Sequence, residues 1–139
     1  MFLNVAAFED SIVDQLAGTP LERPFTLHVF SGLVDTGAQA TCITSAVAEK
    51  VGLTPIGKVP IMGVSGLSYH NNYLFKVGFA FGQPGATEVN MASVHIFDLP
   101  IQGAELNIGS RNFDVLLGMD IINSGSLKID GDGSFSFSF

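Results

Sequence analysis

The sequence predicts an all-β domain with one or two short helices. Its 139 residues include sixteen glycines and twelve phenylalanines, and short apolar runs alternate with turn residues, which is typical of strands joined by tight loops. Hydrophobic residues make up 47% of the chain and charged residues only 14%, so a disordered chain is excluded. The length fits a single domain at residues 1–139, in which residues 1–22 form an N-terminal segment of unclear role.

Strands account for most of the predicted elements, and each is a short apolar or alternating run between turn residues. A turn at Ser31 and Gly32 is predicted to separate the second strand from the third. Gly63, Ser65 and Gly66 are predicted to form the tip of a long hairpin. In chain order the predicted strands are residues 2–8, 24–30, 33–34, 59–64, 67–81, 89–97, 113–117, 127–130 and 134–139.

One clear helix is predicted at residues 44–51, where Thr44 or Ser45 can cap the first turn and Gly52 can end the last. Residues 121–123 are predicted to form a single helical turn.

The last predicted strand carries Phe135, Phe137 and Phe139 on one face, because side chains alternate with a period of two. This face either packs on the domain's own core or pairs across a subunit interface, since an uncovered edge of this kind promotes aggregation.

Charge excludes several classes of function. Six basic residues against thirteen acidic ones give a net charge of −7, which predicts binding neither to nucleic acid nor to an anionic membrane surface. Charged residues are too few to cover so small a domain, so some apolar surface is expected to be buried against another subunit. With one cysteine and no secretory or transmembrane segment in the sequence, we expect a reducing, cytoplasmic location.

No metal or cofactor site is expected. The histidines at 28, 70 and 95 lack the spacing of metal ligands, and no glycine-rich nucleotide loop is present. Cys42 lies in an apolar context and is expected to be an inert thiol.

The remaining candidate for chemistry is Asp35, Thr36 and Gly37, after an apolar strand. A carboxylate at the end of a buried strand needs hydrogen bonds to offset its desolvation. Gly37 can offer its N–H at close approach, and Thr36 can donate from its side chain. The tripeptide can therefore hold a carboxylate rigidly, although taken alone it is better explained as an Asx-type turn.

Three pieces of sequence, over about residues 23–139, resemble the retropepsin-like aspartyl proteases, the one-domain homodimeric relatives of pepsin. They are LVDTGA at residues 33–38 with the following helix, the glycine-tipped hairpin at residues 59–81, and FDVLLGMD at residues 113–120. The pattern is similar to the bacterial branch of the family. Retroviral members carry Arg where this chain has Met119.

The resemblance implies a closed β-barrel of the acid-protease type that acts as a twofold homodimer without a cofactor. One Asp35 from each subunit would activate a water for peptide hydrolysis, supported by Thr36 and Gly37. The hairpin would close as a flap over a polypeptide in extended conformation. The residues implied to bind this substrate are Ala38, Met62, Gly63, Val64, Ser65 and Gly66.

Three further carboxylates stand in or near these motifs. Asp114 precedes a buried strand and Asp120 follows a glycine turn, so both are expected to have structural hydrogen-bonding roles. Asp98 is expected to lie in a turn with Pro100.

Two alternatives from other classes remain open. The chain can be a non-catalytic dimerisation or peptide-binding module that keeps the retropepsin fold. It can also be an unrelated β-barrel structural protein with a chance Asp-Thr-Gly. Cleavage of a mixed peptide library would separate the enzyme from both.

Overall fold

The computed structural model describes residues 2–9, 24–26, 28–80, 88–90, 94–97, 100–106 and 112–139. Within these residues the chain forms twelve strands and two short helices, so the predicted all-β class is confirmed. No helix in this described part of the chain is long and apolar enough to cross a membrane. The helices are α1 (Ser45–Val51) and α2 (Met119–Ile122). The strands are β1 (Phe2–Glu9), β2 (Pro24–Thr26), β3 (Val29–Val34), β4 (Cys42–Thr44), β5 (Gly57–Gly63), β6 (Gly66–Ala80), β7 (Glu88–Asn90), β8 (Val94–Ile96), β9 (Ile101–Leu106), β10 (Val115–Leu117), β11 (Ser126–Ile129) and β12 (Phe135–Ser138).

The largest sheet has eight strands, and its pairings close on themselves. Its order is β1-β3-β10-β4-β9-β6, and β6 then pairs back with β1 to complete a ring. β5 and β8 pair with β6 outside this ring, and the pairs β2–β7 and β11–β12 form two small sheets. Alternate side chains of the ring strands form the core. Its fully buried members from the ring are Val5, Ile43, Phe75, Val77, Val115 and Leu117.

β1 comprises residues 2–9 of the N-terminal segment 1–22, whose role the sequence leaves unclear. Residues 2–6 pair with β3, and residues 5–9 pair with β6. β1 therefore completes the ring. Residues 10–22 lie outside the described residues.

β3 continues through Ser31 and Gly32, so the predicted turn between two shorter strands is wrong. Gly32 lies opposite Leu3 of β1 and Val115 of β10. A Cβ atom at Gly32 would overlap the side chain of Val5. The glycine is therefore required by the close approach of β1, and not by a turn.

One further strand prediction differs from the structure, and another is described only in part. The single strand predicted at residues 89–97 is described at its two ends, where β7 pairs with β2 and β8 pairs with β6. Residues 91–93, Phe81 and the predicted turn residue Asp98 lie outside the described residues. β9 was not predicted at all. It contains Gly103, where a Cβ would lie 2.7 Å from both the Phe75 ring and the Thr41 carbonyl oxygen, and glycine weakens the sequence signal of a strand.

The helix at residues 44–51 is confirmed as α1, with Thr44 as its N-cap residue. It ends at Gly52, whose φ of 79° is the left-handed conformation that glycine commonly adopts after a helix. The Thr44 side chain does not cap the helix, and its Oγ1 is buried without a hydrogen-bond partner. The predicted helical turn at residues 121–123 is present as α2, which begins earlier, at Met119.

Both predicted hairpins are present. β5 and β6 pair up to Gly63 opposite Gly66, so Val64 and Ser65 form the loop between them. β11 and β12 flank a turn at residues 130–133, which the N–H of Asp130 closes by donating to the carbonyl of Ser134.

The phenylalanines of β12 and the C-terminus pack against the domain's own core. Phe135 and Phe137 contact the buried cluster, and the rings of Phe137 and Phe139 lie 5.4 and 5.3 Å from the ring of Phe79. These contacts match the first of the two roles predicted for this face. Phe139 is still 51% exposed, and pairing across a subunit interface stays a prediction.

Candidate active site

Asp35 directly follows β3, in a tight turn that orients its carboxylate. Its Oδ1 accepts a hydrogen bond from the N–H of Gly37 at 2.8 Å, and its carbonyl accepts one from the N–H of Ala38 at 3.2 Å. A Cβ at Gly37 would lie only 3.2 Å from Oδ1, so a glycine leaves room for this contact. Asp35 is half-buried, whereas Thr36 and Gly37 are exposed. The hydrogen bond predicted from Gly37 to the carboxylate is therefore present.

A second loop lies against the Asp35 turn; we use this name for residues 117–120, which comprise the end of β10, Gly118 and the start of α2. The N–H of Asp35 donates to the carbonyl of Leu117 at 3.0 Å, and the N–H of Met119 donates to the carbonyl of Ala38 at 2.8 Å. These main-chain bonds hold the turn at both of its ends. The position of the Asp35 carboxylate thus depends on two loops from distant parts of the sequence.

Thr41 and Asp120 connect the same two loops through their side chains. The Thr41 hydroxyl donates to Oδ1 of Asp120 at 2.6 Å, and the Thr41 N–H donates to Oδ2 at 2.9 Å. The hydroxyl also accepts from the N–H of Gly118 at 3.1 Å. Thr41 is fully buried, the one buried polar residue in the described part of the chain. Hydrogen bonds to a carboxylate are roughly twice as strong as neutral ones, so this pair joins the loops strongly.

Gly118 allows the two loops to approach each other closely. A Cβ at this position would lie 2.6 Å from the carbonyl carbon of Ala40 and 3.0 Å from the carbonyl oxygen of Ala38. Its φ of −93° is open to any residue, so the glycine is required for space and not for backbone conformation.

Hydrogen bonds support the structural roles predicted for Asp114 and Asp120. Oδ2 of Asp114 accepts from the N–H of Ser31 at 3.0 Å, and the N–H of Asp114 donates to the carbonyl of Ser31 at 2.9 Å. Asp114 therefore holds the strand that leads into Asp35. Sequence reasoning missed Thr41 as the partner of Asp120, because 79 positions separate the two residues. The sequence did offer a signal for this pair, namely a hydroxyl residue, Thr41, shortly after Asp-Thr-Gly and an acidic residue, Asp120, shortly after Gly118.

The structure divides the predicted site residues between two places. Ala38 belongs to the Asp35 turn, whereas the other predicted substrate-binding residues lie at the tip of the β5–β6 hairpin, where Met62 is 73% exposed. Among the described residues, no hydrogen bond links the tip to the turn. The first group is Asp35, Thr36, Gly37 and Ala38, and the second is Met62, Gly63, Val64, Ser65 and Gly66.

The free thiol nearest to the turn in the sequence belongs to Cys42. Burial raises the pKa of the Cys42 thiol, Asp120 raises it further, and a backbone hydrogen bond from Ala104 partly lowers it. At neutral pH the thiol is therefore protonated and unreactive. In the part of the chain that the structure describes, no three His, Cys, Asp or Glu side chains are grouped so as to hold a metal ion. The Asp35 carboxylate, by contrast, is suited to general acid–base chemistry.

An Asp-Thr-Gly turn after a strand, joined to a glycine-containing second loop, is the arrangement expected from the resemblance to aspartyl proteases. A family model described as aspartyl protease matches residues 27–121, which is more than half of the chain. The chain therefore belongs to this aspartyl protease family, and the family that its sequence resembles is confirmed.

Among solved structures, the chain is similar to the protease of simian foamy virus (mac), determined in solution. The sequence identity is 14% and the TM-score 0.46, and the match covers 88% of this chain and 92% of the viral one. No curated protein matches this chain.

Proposed function

We propose that the protein is an aspartic endopeptidase in which Asp35 activates a water for the hydrolysis of peptide bonds. The observation that carries the proposal is the half-buried Asp35 carboxylate, held by the Gly37 N–H at 2.8 Å in a turn that a second loop supports. This arrangement occurs in a chain that belongs to an aspartyl protease family.

The active unit in this proposal is a homodimer. Each chain has one Asp-Thr-Gly, so a second copy must supply the second carboxylate. Thr36 and Gly37 are exposed beside Asp35 and so are accessible to a second copy. Among the described residues, β12 pairs with β11 alone, so its other edge is available for a strand of the partner.

Catalysis follows from the proximity of the two Asp35 carboxylates across the twofold axis. Carboxylates about 3 Å apart cannot both be ionised, so they share one proton. The ionised carboxylate takes a proton from a water whose oxygen attacks the scissile carbonyl carbon, while the protonated one gives its proton to the carbonyl oxygen, which forms a tetrahedral diol. The second carboxylate then takes a proton back from one diol hydroxyl, the C–N bond breaks, and the nitrogen takes up the proton that the first carboxyl group holds, so the pair returns to its starting state.

In this proposal the other site residues connect the two subunits or contact the substrate. Thr36 connects the turns of the two subunits, and the β5–β6 hairpin acts as a flap over a polypeptide in extended conformation. The apolar, exposed Met62 and Val64 at its tip favour contacts with apolar side chains. We also propose that the protein acts in the cytoplasm, the location expected from its sequence.

Incubation with a mixed peptide library tests the proposal. The wild-type protein should cleave internal peptide bonds, and Asp35→Asn should abolish cleavage with the fold retained, because an amide cannot accept the proton of water. Asp130→Asn, at an exposed turn carboxylate, is the matched control and should cleave normally. Cleavage by a pure Asp35→Asn preparation would overturn the proposal, and peptide binding without cleavage by the wild type would favour the non-catalytic module.

A further inference from the structure

The β5–β6 hairpin leaves the ring at one residue of β6. Asn72 pairs both with Gly57 of β5 and with Ala104 of β9, and it is the last β6 residue in the ladder with β9. Beyond it, residues 66–71 pair with β5 only. The orientation of the hairpin relative to the ring is therefore decided close to Asn72.

Side chains extend the connection between β6 and β9 past the end of this ladder. The Tyr73 hydroxyl donates to Oε1 of Glu105 at 2.9 Å, and Nδ2 of Asn71 donates to Oε2 at 3.4 Å. Nδ1 of His70 is hydrogen-bonded to the Glu105 carbonyl oxygen at 2.8 Å, and Nε2 of His70 lies 2.7 Å from the Ser68 hydroxyl. Four polar side chains around the hinge are thus connected to Glu105, directly or through His70.

These bonds reach Glu105 from both faces of β6. Asn71 and Tyr73 lie on one face and His70 on the other, because successive residues of a strand alternate. The first two bond the carboxylate, whereas His70 bonds the main chain. Loss of the Glu105 side chain would remove the first pair of bonds and leave the third in place.

Tyr73 is the most buried residue of the set, and its bond to Glu105 is partly buried. Tyr73 is 4% exposed, whereas Tyr69 on the same strand is 64% exposed. Removing the acceptor of a hydroxyl that is partly shielded from water costs free energy, so this bond stabilises the position of the Glu105 carboxylate, to which Asn71 of the hairpin also donates.

We propose that Glu105 is a positioning residue that fixes the β5–β6 hairpin to the ring at the Asn72 hinge. The consequence for substrate rests on the proposed protease function, in which the hairpin covers the Asp35 site. A hairpin that is already ordered loses less conformational entropy when a peptide binds beneath it. The Glu105 contacts therefore act on peptide binding more than on the chemical step.

Amide hydrogen exchange tests the hinge without any substrate. Tyr73→Phe and Glu105→Ala should each speed exchange in residues 58–70 by about tenfold, with the amides of β1 and β10 unchanged, because only the local opening free energy falls. Glu105→Gln keeps an oxygen for the Tyr73 hydroxyl and should have a smaller effect. Tyr69→Phe removes a phenol hydroxyl from the exposed neighbour and should change nothing.

Unchanged hairpin exchange in Glu105→Ala would overturn the assignment. Equal acceleration in β1 and β10 would also overturn it, because it would indicate a loss of global stability.

Peptide kinetics then separate the hinge from the proposed activity. Tyr73→Phe should raise KM about tenfold and leave kcat within about twofold, the pattern of lost binding and not of lost chemistry. A fall in kcat at constant KM would contradict the positioning role. If no variant cleaves peptides, the wild type included, while hairpin exchange responds as stated, the protease proposal fails and the hinge assignment stands.

Discussion

Oγ1 of Thr41 and Oδ1 of Asp120 lie 2.6 Å apart, although 79 positions separate the two residues in the chain. The same Thr41 oxygen accepts the N–H of Gly118, so one buried hydroxyl of the Asp35 loop bonds two groups of the second loop. Because the loop that contains Thr41 begins at Asp35, this contact links the stability of the ring to the position of the candidate catalytic carboxylate.

Thr41→Val should lower the free energy of unfolding by about 1–3 kcal/mol, since it leaves the Gly118 N–H without its acceptor and Asp120 with one donor fewer. Thr41→Ser keeps the hydroxyl and should lose only about 1 kcal/mol, for the missing methyl group. Urea unfolding of the two variants measures the difference. A loss in Thr41→Ser that equals or exceeds the loss in Thr41→Val would contradict the prediction, because it would mean that packing of the methyl group contributes at least as much stability as the hydroxyl.

Asp120→Asn tests the same contact from the other side. Oδ1 accepts the Thr41 hydroxyl and the N–H of Ile121, and Oδ2 accepts the N–H of Thr41. Whichever way the new amide turns, its NH2 group faces a main-chain N–H, so we expect a loss of about 1–3 kcal/mol. Peptide cleavage should fall as well, because Asp120 holds the loop that orients Asp35.

Asp130→Asn is the control, because Asp130 is exposed and its contact with Lys128 at 3.4 Å is a surface ion pair. Its effect should stay within about 0.5 kcal/mol. A similar loss in both variants would show that removal of negative charge, and not the geometry around Thr41, causes the effect.

The parts of this fold that sequence predicts are those set by neighbouring residues. The β5–β6 hairpin follows from alternation around a glycine-rich tip, and α1 follows from a helical run that ends at Gly52. The Gly37 hydrogen bond to Asp35 was also predicted, because the two residues are adjacent in a short motif.

The parts that sequence does not predict depend on a distant strand. The Ser31-Gly32 pair is typical of turns, and only the close approach of β1 explains why Gly32 lies within a strand. β9 was missed because Gly103 interrupts its apolar pattern. In the structure the Phe75 ring occupies the space that a side chain at position 103 would need. The partners of Asp120 and Glu105 were missed for the same reason, since 79 and 32 positions separate them from Thr41 and Tyr73.

Gly118→Ala should destabilise the protein by about 1–3 kcal/mol, because its Cβ would overlap the Ala40 backbone, which cannot move without displacing the Asp35 loop. Gly131→Ala is the matched control, since a Cβ there meets no atom within 4 Å. The control should be neutral or slightly stabilising. Thermal unfolding of both variants measures the difference, and a neutral Gly118→Ala would mean that the two loops are not in close contact.

The proposed homodimer predicts that specific activity depends on protein concentration. Activity should fall on dilution toward the dimer dissociation constant, because each site needs Asp35 from two chains. Deletion of residues 134–139 should shift this fall to higher concentration, provided that circular dichroism shows the remaining chain folded. Constant specific activity over several decades of dilution, together with a monomer mass by light scattering, would contradict the dimer.

The last prediction concerns alkaline pH and Tyr73. Burial, the hydrogen bond to Glu105 and the nearby Glu105 charge raise the pKa of the Tyr73 phenol above its usual value of 10.0. The folded state therefore holds this proton more tightly than the unfolded state does. The resulting contribution to stability is complete below pH 10.0 and is lost as the pH rises from there through the folded pKa.

Urea unfolding at a series of pH values between neutrality and the alkaline range measures this loss. The difference in unfolding free energy between wild type and Tyr73→Phe should be constant up to the ordinary phenol pKa and should shrink above it, because phenylalanine has no proton to lose. Cys42, whose pKa burial also raises, titrates in both proteins and so cancels from the difference. If the difference in unfolding free energy stays constant across the alkaline range, Tyr73 releases its proton as easily in the folded protein as in the unfolded chain. That result would contradict a stabilising hydrogen bond between Tyr73 and Glu105.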